Sequence, residues 1–188
     1  MRTAGFVLVG GASSRMGRDK ALLPLDSGPL VERIASRVTE AAGKVALVGK
    51  PEQYQHLGFD CLPDLRNGLG PLAGIEAALA SERGELNLIV ACDMPNVKTG
   101  WLRDLVNKAE DDDALCIATR DVTGMVHPLC AVYRNTCFPI VRNALERGQL
   151  RLLNLLDELS ATYLQAPGSV LNLNTPDEWS AWQATESR

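Results

Sequence analysis

The stretch Gly10-Gly11-Ala12-Ser13-Ser14-Arg15-Met16-Gly17-Arg18-Asp19-Lys20 packs three cations, two serine hydroxyls and several small residues into one short loop. Glycine has no Cβ, so backbone N–H groups there can approach an oxyanion, and Arg15, Arg18 and Lys20 add charge-assisted donors. The chemistry this suits is the neutralisation of a polyphosphate. Two familiar phosphate loops do not fit. A Walker loop needs Gly-Lys followed by Ser or Thr, whereas Gly17 precedes Arg18-Asp19-Lys20-Ala21. The dinucleotide fingerprint needs Gly-x-Gly-x-x-Gly, and after Gly10-Gly11 the next glycine is Gly17.

Other chemistry-bearing residues are spaced along the chain. Asp93 follows the apolar run Leu88-Ile89-Val90-Ala91 and precedes Met94-Pro95. One carboxylate completed by phosphate oxygens and water is a common way to hold Mg²⁺, and a cap or turn residue is equally compatible with this position. Asp64 follows Cys61-Leu62-Pro63; a carboxylate there can accept from guanine N1 and N2, which adenine cannot offer, or can serve a Pro-Asp turn. Gly70 before Pro71 leaves a helix start able to face an anion, or simply starts a helix. Asn172 and Asn174 alternate with Leu173, which puts both amides on one side of an extended segment and the leucine toward the core. The same pair also suits a turn before Thr175-Pro176. His127 before Pro128 reads as the start of a strand, and Trp179 and Trp182 read as packing. Five cysteines at 61, 92, 116, 130 and 137 form no Cys-x-x-Cys pair, and two histidines cannot complete a zinc site.

These residues need a scaffold. With 188 residues, 46% hydrophobic and 22% charged, the chain is expected to form one domain over 1–188 and is no fibre or disordered tail. Lys and Arg number 19 against 23 Asp and Glu, a net charge of -4, so a nucleic-acid grip is excluded and any polyanion must meet a local cluster of cations. The run Phe6–Val9 is too short for a signal peptide core, and no run approaches the roughly 18 apolar residues of a membrane span, so a cytoplasmic protein is expected.

Short apolar runs at 6–9, 45–48 and 86–91 read as buried parallel strands. Between them, 30–41 keeps helical spacing behind Pro29, placed in the first turn, with Gly43 as the stop, and 71–80 puts Leu72, Ile75, Ala78 and Leu79 on one stripe. Beyond lie a helix capped by Thr99, a solvated acidic turn at 110–113, strands at 115–118 and 129–133, and helices at 137–146 and 150–159. A final strand at 170–173 precedes a helix opened by Pro176. Strand and helix alternate as in an α/β domain with a mostly parallel sheet.

The first loop, Gly10-Gly11-x-Ser13-Ser14-Arg15-Met16-Gly17-x-Asp19-Lys20, resembles the signature of the glycosyltransferase-A-like nucleotidyltransferases, and is especially similar to that of the molybdenum cofactor guanylyltransferases. Pro63-Asp64, Gly70-Pro71-Leu72-Ala73-Gly74-Ile75, Cys92-Asp93-Met94-Pro95, His127-Pro128 and Asn172-Leu173-Asn174-Thr175-Pro176 follow in family order, from residue 5 to residue 178. The resemblance implies a three-layer α/β/α Rossmann-like fold. It also implies Mg²⁺-dependent transfer of GMP from GTP to molybdenum-molybdopterin, with release of pyrophosphate.

Carried onto this chain, the resemblance makes Lys20 and Arg15 catalytic and sets Leu8, Val9, Gly10, Gly11, Lys20, Asp64, Gly70 and Asp93 around the nucleotide. Asp93 would hold the metal, and Asn172 and Asn174 would lie on the acceptor side. His127 is given no role as a base. Some relatives place an asparagine after the second strand, where this chain has Val48-Gly49-Lys50. GTP and molybdopterin are the implied substrates, without nucleic acid or membrane, and with transient contacts to molybdenum-insertion proteins or cofactor-accepting apoenzymes. Cytidylyl transfer to the same pterin, nucleotidyl transfer to a sugar or isoprenoid phosphate, and a non-catalytic nucleotide-binding module are the alternatives. Lys20 and Asp93 together speak against the last, because a binder needs no metal at the α-phosphate.

Overall fold

The computed structural model describes residues 1–10, 19–25 and 28–186. Among them the elements run β1 (Thr3–Leu8), β2 (Pro24–Leu25), β3 (Gly28–Pro29), α1 (Leu30–Ala42), β4 (Val45–Gly49), α2 (Pro51–Tyr54), β5 (Asp60–Pro63), α3 (Pro71–Ala80) and β6 (Leu86–Ala91). They continue through α4 (Thr99–Asp111), β7 (Cys116–Arg120), β8 (Val126–Arg134), α5 (Phe138–Glu146), α6 (Leu152–Glu158), β9 (Thr162–Gln165) and α7 (Pro176–Glu186). Seven strands form one sheet in the order β5-β4-β1-β6-β8-β7-β9, and β8 alone runs against the others.

Alternation along β1 divides the core in two. Val7, with Val9 just beyond the strand, faces α1, α4 and α7, while Ala4, Phe6 and Leu8 face α3, α5 and α6. The result is the expected three-layer α/β/α sandwich. From β1 the chain crosses outward to β4 and β5, then returns past β1 to β6. That reversal makes the carboxyl ends of β1 and β6 the switch point of the sheet, where open α/β sheets bind ligands.

Several local expectations are corrected. Residues 170–173 form no strand: the N–H groups of Val170, Leu171 and Leu173 go instead to Asp121 Oδ2, Asn96 Oδ1 and the Asp93 carbonyl. The outer edge of the sheet is β9, whose mixed Thr-Tyr-Leu-Gln sequence gives little apolar signal. Pro29 stands before α1 as its cap residue, not in the first turn. Thr99 is the first helical residue of α4, and Lys98 takes the cap position without a side-chain bond. Of the acidic run, Glu110 and Asp111 continue α4, while Asp112 pairs with Lys108 at 3.2 Å and accepts from Ala114 N at 2.9 Å. Helix α3 is buried from Leu72 to Leu79, not along a stripe, because α5 covers the side that the sheet does not.

Glycine matters where α1 meets the sheet. A Cβ on Gly5 would lie 2.3 Å from Val38 Cγ1 and 2.7 Å from the Lys44 carbonyl. Neither neighbour is the loose end of a long side chain, so Gly5→Ala forces helix and sheet apart. We expect about 1–3 kcal/mol of destabilisation, read as a lower urea midpoint; an unchanged midpoint contradicts the close packing.

Candidate active site

A cleft of about 970 Å³ opens along the carboxyl ends of β5, β4, β1 and β6. At one end Lys20 and Asp93 face each other with Asn174; at the other lie Lys50, Asp64 and Asn67. Its volume sits at the upper end of the usual range for a small-molecule site.

Lys20 is placed by local chemistry. Asp19 Oδ1 accepts from Ala21 N at 3.0 Å, which caps the short 3₁₀ turn Lys20–Leu22. The other oxygen, Oδ2, accepts from Tyr54 Oη at 2.5 Å. Burial and the Asp19 contact push the Tyr54 hydroxyl above its ordinary pKa, so it remains a donor. The ammonium of Lys20 then donates to Asn174 Oδ1 at 2.8 Å and stands 3.8 Å from Asp93 Oδ2. Both charged side chains are largely sheltered, 17% and 23% exposed. Burial raises the Asp93 carboxyl above the usual carboxylate range, and Lys20 draws it partly back.

Asn174 reaches this point because α7 is fixed. Thr175 and Glu178 form a reciprocal capping box, with Glu178 N donating to Thr175 Oγ1 at 3.3 Å and Thr175 N to Glu178 Oε2 at 3.0 Å. Asn174 N donates to the same carboxylate at 2.6 Å. Trp179 and Trp182 are buried with ring centroids 5.3 Å apart, a packing contact that adds about 0.5–1.5 kcal/mol beyond area burial.

With this geometry in place, the family model of the MobA-like NTP transferase domain matches residues 5–162. The chain belongs to that family. A probable molybdenum cofactor guanylyltransferase of Carboxydothermus hydrogenoformans is 32% identical over 182 residues, covering 92% of this chain and 91% of the relative. One from Flavobacterium johnsoniae is 30% identical and covers 92% of each. Among solved structures, molybdopterin-guanine dinucleotide biosynthesis protein A from Archaeoglobus fulgidus is similar at 27% identity, covers 98% of each chain and has a TM-score of 0.81.

Most of the site residues expected from the sequence of this nucleotidyltransferase line the cleft: Leu8, Val9, Gly10, Lys20, Asp64, Gly70, Asp93 and Asn174. Gly11 and Arg15 lie outside the described residues. Asn172 is not among the lining residues; its carbonyl accepts from Asn174 Nδ2 at 3.3 Å. Gly70 has φ 68 and stands before α3 as its cap residue. Pro71 has no N–H and Ala73 N donates to the Gly70 carbonyl at 3.1 Å, so this helix start offers an anion fewer donors than expected. His127 is buried against Asp121 at 3.1 Å, a structural pair.

Sequence reasoning missed Tyr54, which no motif marks, and the supporting role of Asp19, legible as an Asx-type cap two residues before Ala21. Lys50 and Asn67 were also passed over as cleft residues.

Burial raises the Asp64 carboxyl above the usual range. The fold therefore favours its neutral form, and that contribution to stability is present at low pH and lost as pH climbs from the ordinary carboxylate range through the raised value. Asp64→Asn should melt higher than the parent at pH 7, with the gain closing as pH falls toward about 4. Equal or lower thermal stability at pH 7 contradicts the burial effect.

Proposed function

We propose that this chain is a molybdenum cofactor guanylyltransferase, which transfers GMP from GTP to the terminal phosphate of molybdenum-molybdopterin. The observation that carries the reading is Lys20, whose ammonium lies between Asn174 and Asp93 at one end of the cleft. The names of the relatives and the length of chain they share support the choice of substrates. All five cysteines are free and no described helix is long and apolar enough to cross a membrane, which accords with a reaction in the cytoplasm.

In the proposed reaction an oxygen of the acceptor phosphate attacks the α-phosphorus of GTP. The bond to the bridging oxygen breaks and pyrophosphate leaves with that electron pair. No proton need be removed from the acceptor at neutral pH, so a general base is not required and buried His127 is not called upon. The side chains act by position and charge. Lys20 faces the triphosphate and offsets the negative charge that builds on the leaving oxygens, joined by Arg15 from the same loop. Main-chain groups of Leu8, Val9 and Gly10 border the base and ribose, with Asp64 accepting from guanine N1 and N2. Asn174, with Asn172 behind it, faces the acceptor.

Asp93 suits a divalent metal. Among the described residues no group of three or more His, Cys, Asp or Glu is arranged to hold an ion, so the remaining ligands would be phosphate oxygens and water, the manner of Mg²⁺. The largely sheltered carboxylate, its neutral form favoured by burial, would gain from a cation beside it. When bound, Mg²⁺ would neutralise charge on the phosphate oxygens.

Incubation of the purified protein with molybdenum-molybdopterin, Mg²⁺ and each nucleoside triphosphate in turn tests the assignment. The guanine dinucleotide and pyrophosphate are expected from GTP; a cytosine dinucleotide, or no dinucleotide at all, overturns it. Lys20→Ala should keep its fold by circular dichroism and lose roughly a hundred- to a thousand-fold in turnover. By calorimetry, Asp93→Ala should bind GTP with Mg²⁺ more weakly than the parent, and unchanged binding refutes its role as metal ligand.

A further inference from the structure

The loop after β6 does more than present Asp93. Arg37 on α1 donates through Nη1 to the carbonyls of Pro95 and Val97, at 2.7 and 2.8 Å, and fixes the loop from one side. On the other side lies residues 166–174, a strap without helix or strand that ends at Asn174. Asn96 grips this strap with both ends of its amide: Nδ2 donates to the Ser169 carbonyl at 2.7 Å, and Oδ1 accepts from Leu171 N at 3.0 Å. Two residues further on, Leu173 N donates to the Asp93 carbonyl at 2.9 Å, and the Leu173 side chain is buried. Asp121 adds a contact to Val170 N at 3.3 Å.

An extended segment ordinarily satisfies its N–H groups by strand pairing. This strap gives two of them, from Leu171 and Leu173, to the loop of Asp93, where only Met94 and Pro95 separate the carboxylate from the gripping amide. We propose that Asn96 is a positioning residue: by clamping the strap to the loop of Asp93, it sets the distance at which Asn174 meets Lys20. It touches neither reacting group, and Asn96 is absent from the lining of the cleft. Its effect on turnover rests on the assignment of the cleft to GTP and the pterin; its effect on the strap does not.

Two readouts on the full-length chain test the role. In the free protein, Asn96→Ala should raise the amide exchange rates of Leu171 and Leu173 by about tenfold or more, because two hydrogen bonds to the strap are lost. Asn96→Asp, which keeps the acceptor for Leu171 N and loses the donor to Ser169, should give a smaller rise. In the transfer assay, Asn96→Ala should lower kcat on the order of tenfold to a hundredfold with KM for GTP unchanged. The Asn96→Ala/Asn174→Ala double variant should lose no more than Asn174→Ala alone, since the first residue acts through the second. Unchanged exchange in both variants, or losses that multiply in the double variant, overturns the proposal. Faster exchange in a protein whose parent makes no dinucleotide upholds the clamp and rejects the assignment of the reaction.

Discussion

The ammonium of Lys20 joins parts of the chain that are far apart in sequence. It is presented by the turn after the first strand, it bonds to Asn174 near the carboxyl end, and it faces Asp93 at the tip of β6. A sheltered cation and a sheltered carboxylate 3.8 Å apart, without direct hydrogen bonding, leave charge available for a third partner. Burial already disfavours the charged form of Asp93, so a ligand that brings compensating charge relieves a cost the fold carries. Most of the surrounding structure can be understood as a means of holding these groups in register.

Three supports converge on that point. Asp19 and Tyr54 fix the turn of Lys20, and they tie it to the connection between β4 and β5. Arg37 fixes the loop of Asp93 to α1. The capping box of α7 and its buried tryptophans fix Asn174. Each support relies on a different physical device, a capped turn, a guanidinium on two carbonyls, and a helix start. Packing of helices on both faces of the sheet makes the strand ends rigid enough for such short contacts to matter. The acidic net charge is no obstacle to a polyanionic ligand, since Lys20 and Lys50 bring positive charge to the cleft itself.

Much of this was legible from the residues. Continuous apolar runs at 6–9, 45–48 and 86–91 are what strands buried on both faces require, and they became β1, β4 and β6, whose carboxyl ends line the cleft. Asp93 and Lys20 could be assigned to one edge because each follows such a run. What stayed hidden depends on tertiary partners. Extended residues 170–173 carry a strand-like sequence, but their N–H groups meet Asp121, Asn96 and the Asp93 carbonyl, and only the fold supplies those acceptors. Edge strand β9 is half polar because solvent covers part of it. Tyr54 offered no periodicity or motif, since its worth lies in one hydroxyl that reaches Asp19 from the buried core.

The account stands on where a triphosphate sits relative to Lys20. A crystal structure of the full chain with Mg²⁺ and a non-hydrolysable GTP analogue measures this directly. It should place phosphate oxygens within hydrogen-bonding distance of Lys20 Nζ, the metal against Asp93, and the guanine at the Asp64 end of the cleft. A triphosphate bound away from Lys20, with the lysine still engaged only by Asn174 and Asp93, would contradict it.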